Sequence, residues 1–305
     1  MQIISWIIGT LLQWYIWMPI VAVLMFLTWR NYRKIEDFTP AESVLLVLEI
    51  PRTNDKQELA AEQLFASLHG ILRDNKELRL SGGHQEHISF EIASVNGQIR
   101  FYVWVPKTLQ SFVEGQIYSQ YPTVQIHQAD EDYTEHERDH EVAYSTELTL
   151  TTDEFLPIRT FQNFEVDPLA GITGTLAKLE TTGEELWIQV LVRPIPDDWQ
   201  NAADRYINSI KNGRIFSLPG FGGSMQWLIG VLGALWQPPE QGVGQSTKIE
   251  LSDRDKTRIS EAEKKATKLG YEVKIRLVYM GESQTNAKLR MQALVGTFKQ
   301  FNSTN

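Results

Sequence analysis

The stretch that decides the fold is HISFEIASVNGQIRFYVWVP, residues 87–106. Apolar side chains occupy every second position over Ile88–Ile92 and again over Ile99–Val105, and Asn96-Gly97 separates the two runs. Alternation of this kind is typical of half-buried β-strands. Asn-Gly is a preferred pair for a two-residue hairpin turn. The segment therefore predicts a β-hairpin with one apolar face.

Elements on either side of this hairpin complete a first module over residues 41–129. The apolar run Ser43–Pro51 has the length of a strand, and apolar residues within Leu64–Leu72 recur at helical spacing. A helix near 109–119 and a strand near 123–127 follow the hairpin. The order strand, helix, strand, strand, helix, strand is the split βαβ, or ferredoxin-like, arrangement. The predicted fold class is α+β, and this fold hosts many unrelated functions.

An acidic segment, residues 130–146, is expected to separate the first module from a second. Its first part, DEDYTEHERDHE at 130–141, contains seven acidic residues and one arginine. The whole chain has a net charge of −9, so this segment supplies most of the excess. Blocks of like charge repel one another and remain solvated. The segment is therefore predicted to be a solvated linker.

The second module, residues 147–305, is also predicted to be α+β. Asp167-Pro168 is a typical helix start, because Asp caps the first turn and Pro is tolerated at its first position. Ser252 with Asp255 predicts another capped helix start. Strands are expected near 147–151, 155–160, 185–194 and 271–280, and helices near 168–179, 199–211, 252–269 and 286–298.

Charge is distributed unevenly along the 305 residues. Met1–Trp29 contains no charged side chain, so all 29 Lys and Arg and all 38 Asp and Glu lie after it. Surfaces that coat nucleic acid need an excess of Lys and Arg, so direct nucleic-acid binding is not favoured by charge. The sequence contains no cysteine, which excludes disulfides, thiolate metal sites and a cysteine nucleophile.

The charge-free start of the chain predicts a transmembrane helix, which with its basic flank makes up residues 1–40. The apolar run exceeds the roughly 20 residues that cross a bilayer. A cleaved signal peptide is the alternative, but no basic residue precedes the run and no small-residue cleavage site follows it. Because positive charge marks the cytoplasmic side, we expect a single pass in the plasma (inner) membrane, with the N-terminus outside and the bulk of the chain cytoplasmic. The residues expected at the lipid bilayer are Trp14, Trp17, Trp29, Arg30, Arg33 and Lys34.

A second charge-free stretch interrupts the second module at residues 215–239. Its apolar core, residues 225–236, is too short to span a membrane. A helix that is apolar on nearly all sides requires a non-aqueous partner. The stretch is therefore expected to contact the membrane interface, a partner subunit or the core of its own module. The partner-contact candidates are Phe221, Trp227, Leu228, Leu232 and Trp236.

The segment HERDH, residues 136–140, matches the H-E-x-x-H zinc motif. In metalloproteases with this motif, two His one helical turn apart hold Zn²⁺ and the Glu acts as general base. Here the flanking residues are acidic, and no third ligand lies at a recognised spacing. Zinc binding by His136 and His140 is therefore only a remote alternative. His84 and His87 are expected to be solvated loop residues.

No set of catalytic residues emerges from the remaining motifs. The 305 residues contain no G-x-x-x-x-G-K-[ST] loop, so the chain is not expected to hydrolyse ATP. Gly242-Val243-Gly244 lacks the third glycine and the preceding strand of a dinucleotide fingerprint. We expect no catalytic residue, no metal and no cofactor, and hence a protein that is not an enzyme.

Several longer stretches resemble a known family. They are ELTLTTDEFLPIRTFQNFEVDPLAGITGTLAKL at 147–179, GEELWIQVLVRP at 183–194, LGYEVKIRLVYM at 269–280 and VGTFKQFN at 295–302. These stretches are similar to the membrane-proximal N-terminal region of bacterial type IV secretory, conjugative DNA-transfer proteins, whose ATPase belongs to the HerA/FtsK-like class. The resemblance extends over residues 41–301.

In that family, a membrane anchor and α+β modules precede an ATPase domain with a P-loop. This sequence ends after FKQFNSTN. The resemblance thus implies that the ATPase is a separate polypeptide, or that the chain is a split or truncated product. The leading hypothesis is a non-catalytic, membrane-anchored scaffold that self-associates and positions a P-loop ATPase subunit in a DNA-translocating assembly. The alternative is a self-contained membrane-bound interaction or envelope protein unrelated to DNA transfer.

Overall fold

The computed structural model describes Gly9 and residues 14–36, 42–51, 59–80, 83–135, 142–179, 183–211 and 252–302. The strands are β1 (Ser43–Glu49), β2 (Ile88–Val95), β3 (Gln98–Pro106), β4 (Gln125–Gln128), β5 (Val142–Leu148), β6 (Glu185–Ile195) and β7 (Gly270–Gly281). The helices are α1 (Trp14–Glu36), α2 (Leu59–Leu68), α3 (Asn75–Leu80), α4 (Gln110–Gln120), α5 (Leu169–Ala177), α6 (Gln200–Lys211), α7 (Asp253–Ala266) and α8 (Gln284–Phe298).

The strands form one seven-stranded sheet in the order β4-β1-β3-β2-β6-β7-β5. Every neighbouring pair is antiparallel, so the chain is a mixed α+β protein built on a single antiparallel sheet. β2 pairs with β6 from Ile88 opposite Val192 to Ser94 opposite Leu186. The strands of both predicted modules therefore belong to the same sheet. In each half of the chain, the third strand lies between the first and the second.

The hairpin of β2 and β3 confirms the prediction made from residues 87–106. Val95 pairs with Gln98, which leaves Asn96 and Gly97 as a two-residue loop. Both loop residues have positive φ, 51° for Asn96 and 74° for Gly97. Two such residues form the type I′ turn, whose twist matches that of the strands.

Helices α2, α4, α5 and α8 pack on one face of the sheet. Val113 of α4 clusters with Val103 of β3, and Leu294 of α8 clusters with Leu277 of β7. Val190 of β6 contacts both clusters, so the two cores lie on the same face. Burial of each such side chain stabilises the fold by about 1.5–3 kcal/mol.

A buried polar contact fixes α8 to the sheet. Glu184 is 6% exposed. Its carboxylate accepts hydrogen bonds from the Tyr279 hydroxyl at 2.8 Å, from Asn286 Nδ2 at 3.1 Å and from Arg290 Nε at 3.0 Å. Burial and the neighbouring carboxylate raise the pKa of Tyr279, which keeps the phenol a donor. The start of α8 is thereby held against the start of β6 and the end of β7.

The structure differs from the prediction at two predicted segments between residues 130 and 160. Strand β5 begins at Val142, so the predicted solvated linker 130–146 overlaps a strand that pairs with β7. The predicted strand at 155–160 is wrong, because these residues form turns and irregular backbone. Pro157 has no N–H for a ladder. The Arg159 N–H donates to the carbonyl of Phe301 instead, at 2.9 Å, and the Leu156 carbonyl accepts from Lys265 Nζ at 3.0 Å.

The predicted membrane segment is only partly within the described residues, since residues 1–13 apart from Gly9 lie outside them. From Trp14 onward the segment is helical, as α1, and Pro19 lies inside this helix. Among the helices of the described residues, none is both long enough and apolar enough to cross a membrane.

Candidate interaction face

We call the side of the sheet opposite helices α2, α4, α5 and α8 the open face. Successive side chains of a strand point to opposite faces of the sheet. Each strand residue next to one that packs against the helices therefore points to the open face. Its centre is a separate apolar cluster whose members come from strands and from the segment after β4, and among the described residues none comes from a helix. The buried members are Leu45, Val47, Ala93, Tyr102, Tyr133 and Trp187.

Tyr133 covers the middle of the open face. It lies in the acidic segment after β4, and that segment is tied to the sheet by the Ala129 N–H, which donates to the Leu45 carbonyl at 2.8 Å. The Tyr133 ring lies 4.8 Å from the ring of Tyr102 and 5.0 Å, edge to face, from that of Trp187. Only 5% of Tyr133 is exposed. The acidic segment is thus anchored by one aromatic side chain and is not solvated throughout.

Beneath Tyr133 lies a buried carboxyl group. Glu91 is 6% exposed, and the Tyr133 hydroxyl donates a hydrogen bond to its Oε2. Gln189 Nε2 donates to the Tyr133 hydroxyl oxygen at 3.1 Å. Burial raises the pKa of Glu91, and the hydrogen bond from Tyr133 opposes that shift without cancelling it. Burial and the nearby carboxyl also raise the pKa of Tyr133, so the phenol remains a donor.

Stability is expected to depend on pH through Glu91. Its pKa in the folded protein lies above its ordinary value of 4.5, so the folded state binds this proton more tightly than the unfolded state. The stabilising contribution is present below the ordinary value and is lost as pH rises through the raised pKa. Urea unfolding of the wild type and of Glu91→Gln between about pH 4 and pH 8 measures this dependence. The stability of the wild type relative to the variant should fall with rising pH, and a constant difference would contradict the assignment.

His87 occupies the rim of the open face, where it stacks on Trp104. The two rings lie 4.9 Å apart at an angle of 19°. Burial lowers the pKa of His87, and the positive groups of His84, Arg193 and Arg276 lower it further. The expectation of a solvated loop residue is therefore wrong for His87, because its ring is half-buried against an aromatic partner. A neutral imidazole is favoured at this position.

A groove of about 560 Å³ lies beside Tyr133, and side chains of β1, β2, β3, β5, β6 and β7 contribute to its lining. Its apolar lining comes from buried and half-buried side chains on the strands, and its polar lining includes Asp132 and Arg276. The apolar lining residues are Leu45, Trp104, Trp187, Leu191 and Val278. The lining thus combines apolar side chains with polar and charged ones, a combination that occurs in binding sites.

Ion pairs between neighbouring strands lie on the same face. Arg193 Nε donates to Glu272 Oε2 at 3.1 Å, and Lys274 Nζ lies 3.3 Å from Glu147 Oε2. Arg276 Nε lies 3.8 Å from the same carboxylate. Exposed pairs contribute about 0–1 kcal/mol to folding. They place charges of both signs around the groove, and charges at the rim of an interface generally affect partner choice more than affinity.

The structure places the predicted site residues in two groups. Trp17 and Trp29 lie on α1 and are 49% and 51% exposed, and Trp14, Arg30, Arg33 and Lys34 belong to the same helix. The remaining candidates lie outside the described residues, namely His136, His140, Phe221, Trp227, Leu228, Leu232 and Trp236. The candidates within the described residues all lie on α1, and none of them belongs to the cluster or the groove of the open face.

In the part of the chain that the structure describes, no group of three or more His, Asp or Glu side chains is arranged to hold a metal ion. The acidic side chains that line the groove instead accept hydrogen bonds from neighbouring residues. Glu91 accepts from Tyr133, and Asp132 Oδ1 accepts from the Thr134 N–H at 2.8 Å.

Sequence reasoning missed the residues that organise the open face. Tyr133 is the lone aromatic residue within the acidic run at 130–141, and that contrast was the available signal. Glu91 occupies a polar position of an alternating strand, which predicts solvent exposure unless another segment covers it. The covering segment is distant in sequence from β6, so the contact with Gln189 has no local signature.

Fold and groove together define a mixed α+β protein with helices packed on one face of the sheet and a groove on the other. The chain belongs to the DUF8128 family, described as a domain of unknown function, and the match covers residues 33–305. No curated protein and no solved structure shows a significant match to the chain.

Proposed function

We propose that the chain is a non-catalytic, membrane-anchored scaffold of a type IV secretion-like, DNA-translocating assembly, and that its open face docks a P-loop ATPase. One observation carries the proposal. Helices pack on one face of the sheet, whereas the open face presents a groove whose lining includes Trp104, Leu191 and Val278. Antiparallel sheets often have one solvated face, but such a face is usually polar. Half-buried aromatic and aliphatic side chains on this face favour a protein partner.

The chemistry of the groove supports binding in preference to catalysis. The Glu91 carboxyl group is buried under Tyr133 and hydrogen-bonded to it. His87 is stacked on Trp104. Both side chains therefore serve packing and hydrogen bonding within the fold. The result is a surface whose polar groups are held in fixed positions. Rigid aromatic residues at the centre of a patch are typical anchors of protein interfaces.

The proposed membrane anchor is the charge-free N-terminal segment that includes α1. Apolar side chains of α1 are exposed on all sides of the helix, for example Met18 at 62%, Val23 at 56%, Met25 at 67% and Phe26 at 56%. A helix that is apolar all round is stable only in a non-aqueous environment. Arg30, Arg33 and Lys34 follow the apolar part, which favours an N-terminus outside and the remaining chain in the cytoplasm.

The resemblance of 147–179 and 183–194 to conjugative DNA-transfer proteins supports the assembly class. We further infer that residues 41–129 form a ferredoxin-like unit. The sheet order β4-β1-β3-β2, with α2 and α4 as the connecting helices, is the order of that arrangement. The fold itself assigns no activity, so the docking proposal depends on the composition of the open face.

A membrane pull-down tests the proposal. The full chain, tagged at its C-terminus, is expressed in its native host, solubilised in mild detergent and captured, and the captured proteins are identified by mass spectrometry. A P-loop ATPase is expected among the specifically enriched proteins, relative to an unrelated tagged single-pass protein as control. Enrichment of other proteins without any P-loop ATPase would contradict the docking proposal and favour an envelope protein unrelated to DNA transfer.

A further inference from the structure

The two edges of the sheet differ in a way that bears on assembly. One edge is β4, which has four residues and follows Pro122 closely. The other edge is β5, in which all seven residues pair with β7 in continuous register from Val142 to Leu148. Proteins usually protect their edge strands by making them short or by adding Pro, Lys or bulges. β5 has none of these features, and Glu147 is its only charged residue.

The topology of the described strands indicates where a further strand would pair with β5. In the first half of the chain, the first strand β1 is covered on its outer side by β4. In the second half, the corresponding first strand is β5, and among the described strands none pairs with its outer side. The two halves otherwise share one arrangement, with the third strand between the first and second. The outer side of β5 is therefore the position at which a further strand fits.

We propose that a second copy of this chain occupies this position, by antiparallel pairing of β5 with β5 about a two-fold axis at Ser145. This is the register that pairs all seven residues of the strand. It places Val142 opposite Leu148 and Tyr144 opposite Thr146. Apolar pairs and aromatic–β-branched pairs of this kind stabilise neighbouring strands by about 0.2–1 kcal/mol each.

The same register avoids charge repulsion. Glu147 lies opposite Ala143 of the second copy, so the two Glu147 side chains are separated by four residue spacings, about 14 Å. Lys274 and Arg276 of β7 flank Glu147 within each copy and compensate its charge. Like charges directly opposite one another would destabilise the pair.

The geometry of the proposed contact already exists inside the chain. β2 and β6, the second strands of the two halves, pair antiparallel, and the helices of both halves lie on the same face. A two-fold axis perpendicular to the sheet at Ser145 repeats that relation between two copies. The open faces of both copies then form one continuous surface, with Ser145 at its centre and a groove on each side.

The β5 contact is the surface through which the proposed scaffold would self-associate, and in that respect it rests on the proposed function. The contact itself does not require the ATPase. Pull-down of an ATPase and pairing of β5 are measured by different experiments. A monomeric chain that still captures the ATPase would overturn only the contact at β5, and a dimer that captures no ATPase would overturn only the docking proposal.

Disulfide cross-linking tests the register directly, because the sequence contains no cysteine. The full chain with Ser145→Cys is expressed in membranes and oxidised with copper phenanthroline. Directly opposite residues of antiparallel strands have Cα atoms about 4.5–5.5 Å apart, which lies within the range that a disulfide spans. A disulfide-linked dimer is expected to be the main product on non-reducing gels.

Three matched variants act as controls. Glu147→Cys alone should remain monomeric, whereas co-expression of Ala143→Cys with Glu147→Cys should give the mixed dimer. His127→Cys on the opposite edge strand β4 should also remain monomeric. Failure of Ser145→Cys to cross-link more than His127→Cys would overturn the proposal. Equal cross-linking of Ser145→Cys and Glu147→Cys would overturn the register, since it indicates random collision.

Discussion

Replacing Tyr133 by alanine is expected to lower the free energy of unfolding by about 3–5 kcal/mol, the range for removal of a large buried aromatic side chain. The ring is 5% exposed and packs against Tyr102 and Trp187. The substitution also removes the hydrogen bond that the Tyr133 hydroxyl donates to the Glu91 carboxyl group. Urea unfolding followed by tryptophan fluorescence measures the loss, since Trp187 reports on the same cluster.

Two further substitutions separate packing from hydrogen bonding at this position. Tyr133→Phe keeps the ring but removes the hydrogen bond from the hydroxyl to Glu91, so a smaller loss of about 1–3 kcal/mol is expected. Tyr118→Ala is the control on the helix side, where the side chain is 40% exposed and a loss of about 1 kcal/mol is expected. Equal losses for Tyr133→Ala and Tyr118→Ala would show that Tyr133 does not anchor the acidic segment.

Glu184→Ala is expected to lower the free energy of unfolding by about 2–4 kcal/mol. Its carboxylate accepts from Tyr279, Asn286 and Arg290, and all three donors lose their acceptor together. The Arg290 side chain is 24% exposed, so water can hydrate its guanidinium group in the variant, which reduces the loss of stability. Chemical denaturation of the purified chain provides the measurement.

A double-mutant cycle tests the cause of that loss. If the cost arises from an unpaired guanidinium group, adding Arg290→Ala to Glu184→Ala should cost less than the sum of the two single variants. The expected interaction energy is about 1–3 kcal/mol. Additive losses would mean that Glu184 stabilises α8 by another route.

The hairpin and most of the other elements could be predicted because their signals are local. Alternation over Ile88–Ile92 and the Asn96-Gly97 pair determine β2, β3 and the turn between them. Asp167 also acts as expected, since its Oδ1 accepts from the Leu169 N–H at 2.8 Å at the start of α5. Ser252 likewise accepts from the Asp255 N–H, at 3.2 Å, at the start of α7.

The joining of the two predicted modules into one sheet was not predictable from local patterns. β2 and β6 are equally good strands by alternation, and the sequence contains no signal that they pair with each other. Strand pairing over such a separation is decided by tertiary packing, here by Val190, which contacts both cores. Local propensity cannot report a contact of this kind.

The open face was missed for a related reason. Charge density in 130–141 indicates solvation for the segment as a whole, but burial is decided residue by residue. Tyr133 gains enough from its contact with Tyr102 and Trp187 to hold part of an acidic segment on the sheet. Glu91 is tolerated beneath it because a phenol donates to the carboxyl group.

The pull-down made with a matched pair of variants is the most direct test of the docking proposal. Leu191→Asp places a charge in the groove, and Leu289→Asp places the same charge on α8, where the side chain is 63% exposed. The account predicts that Leu191→Asp reduces recovery of the P-loop ATPase by about tenfold or more, the effect of removing a central anchor, and that Leu289→Asp retains it. Circular dichroism of both variants controls for folding. Undiminished recovery with Leu191→Asp, or a loss confined to Leu289→Asp, would contradict docking at the open face.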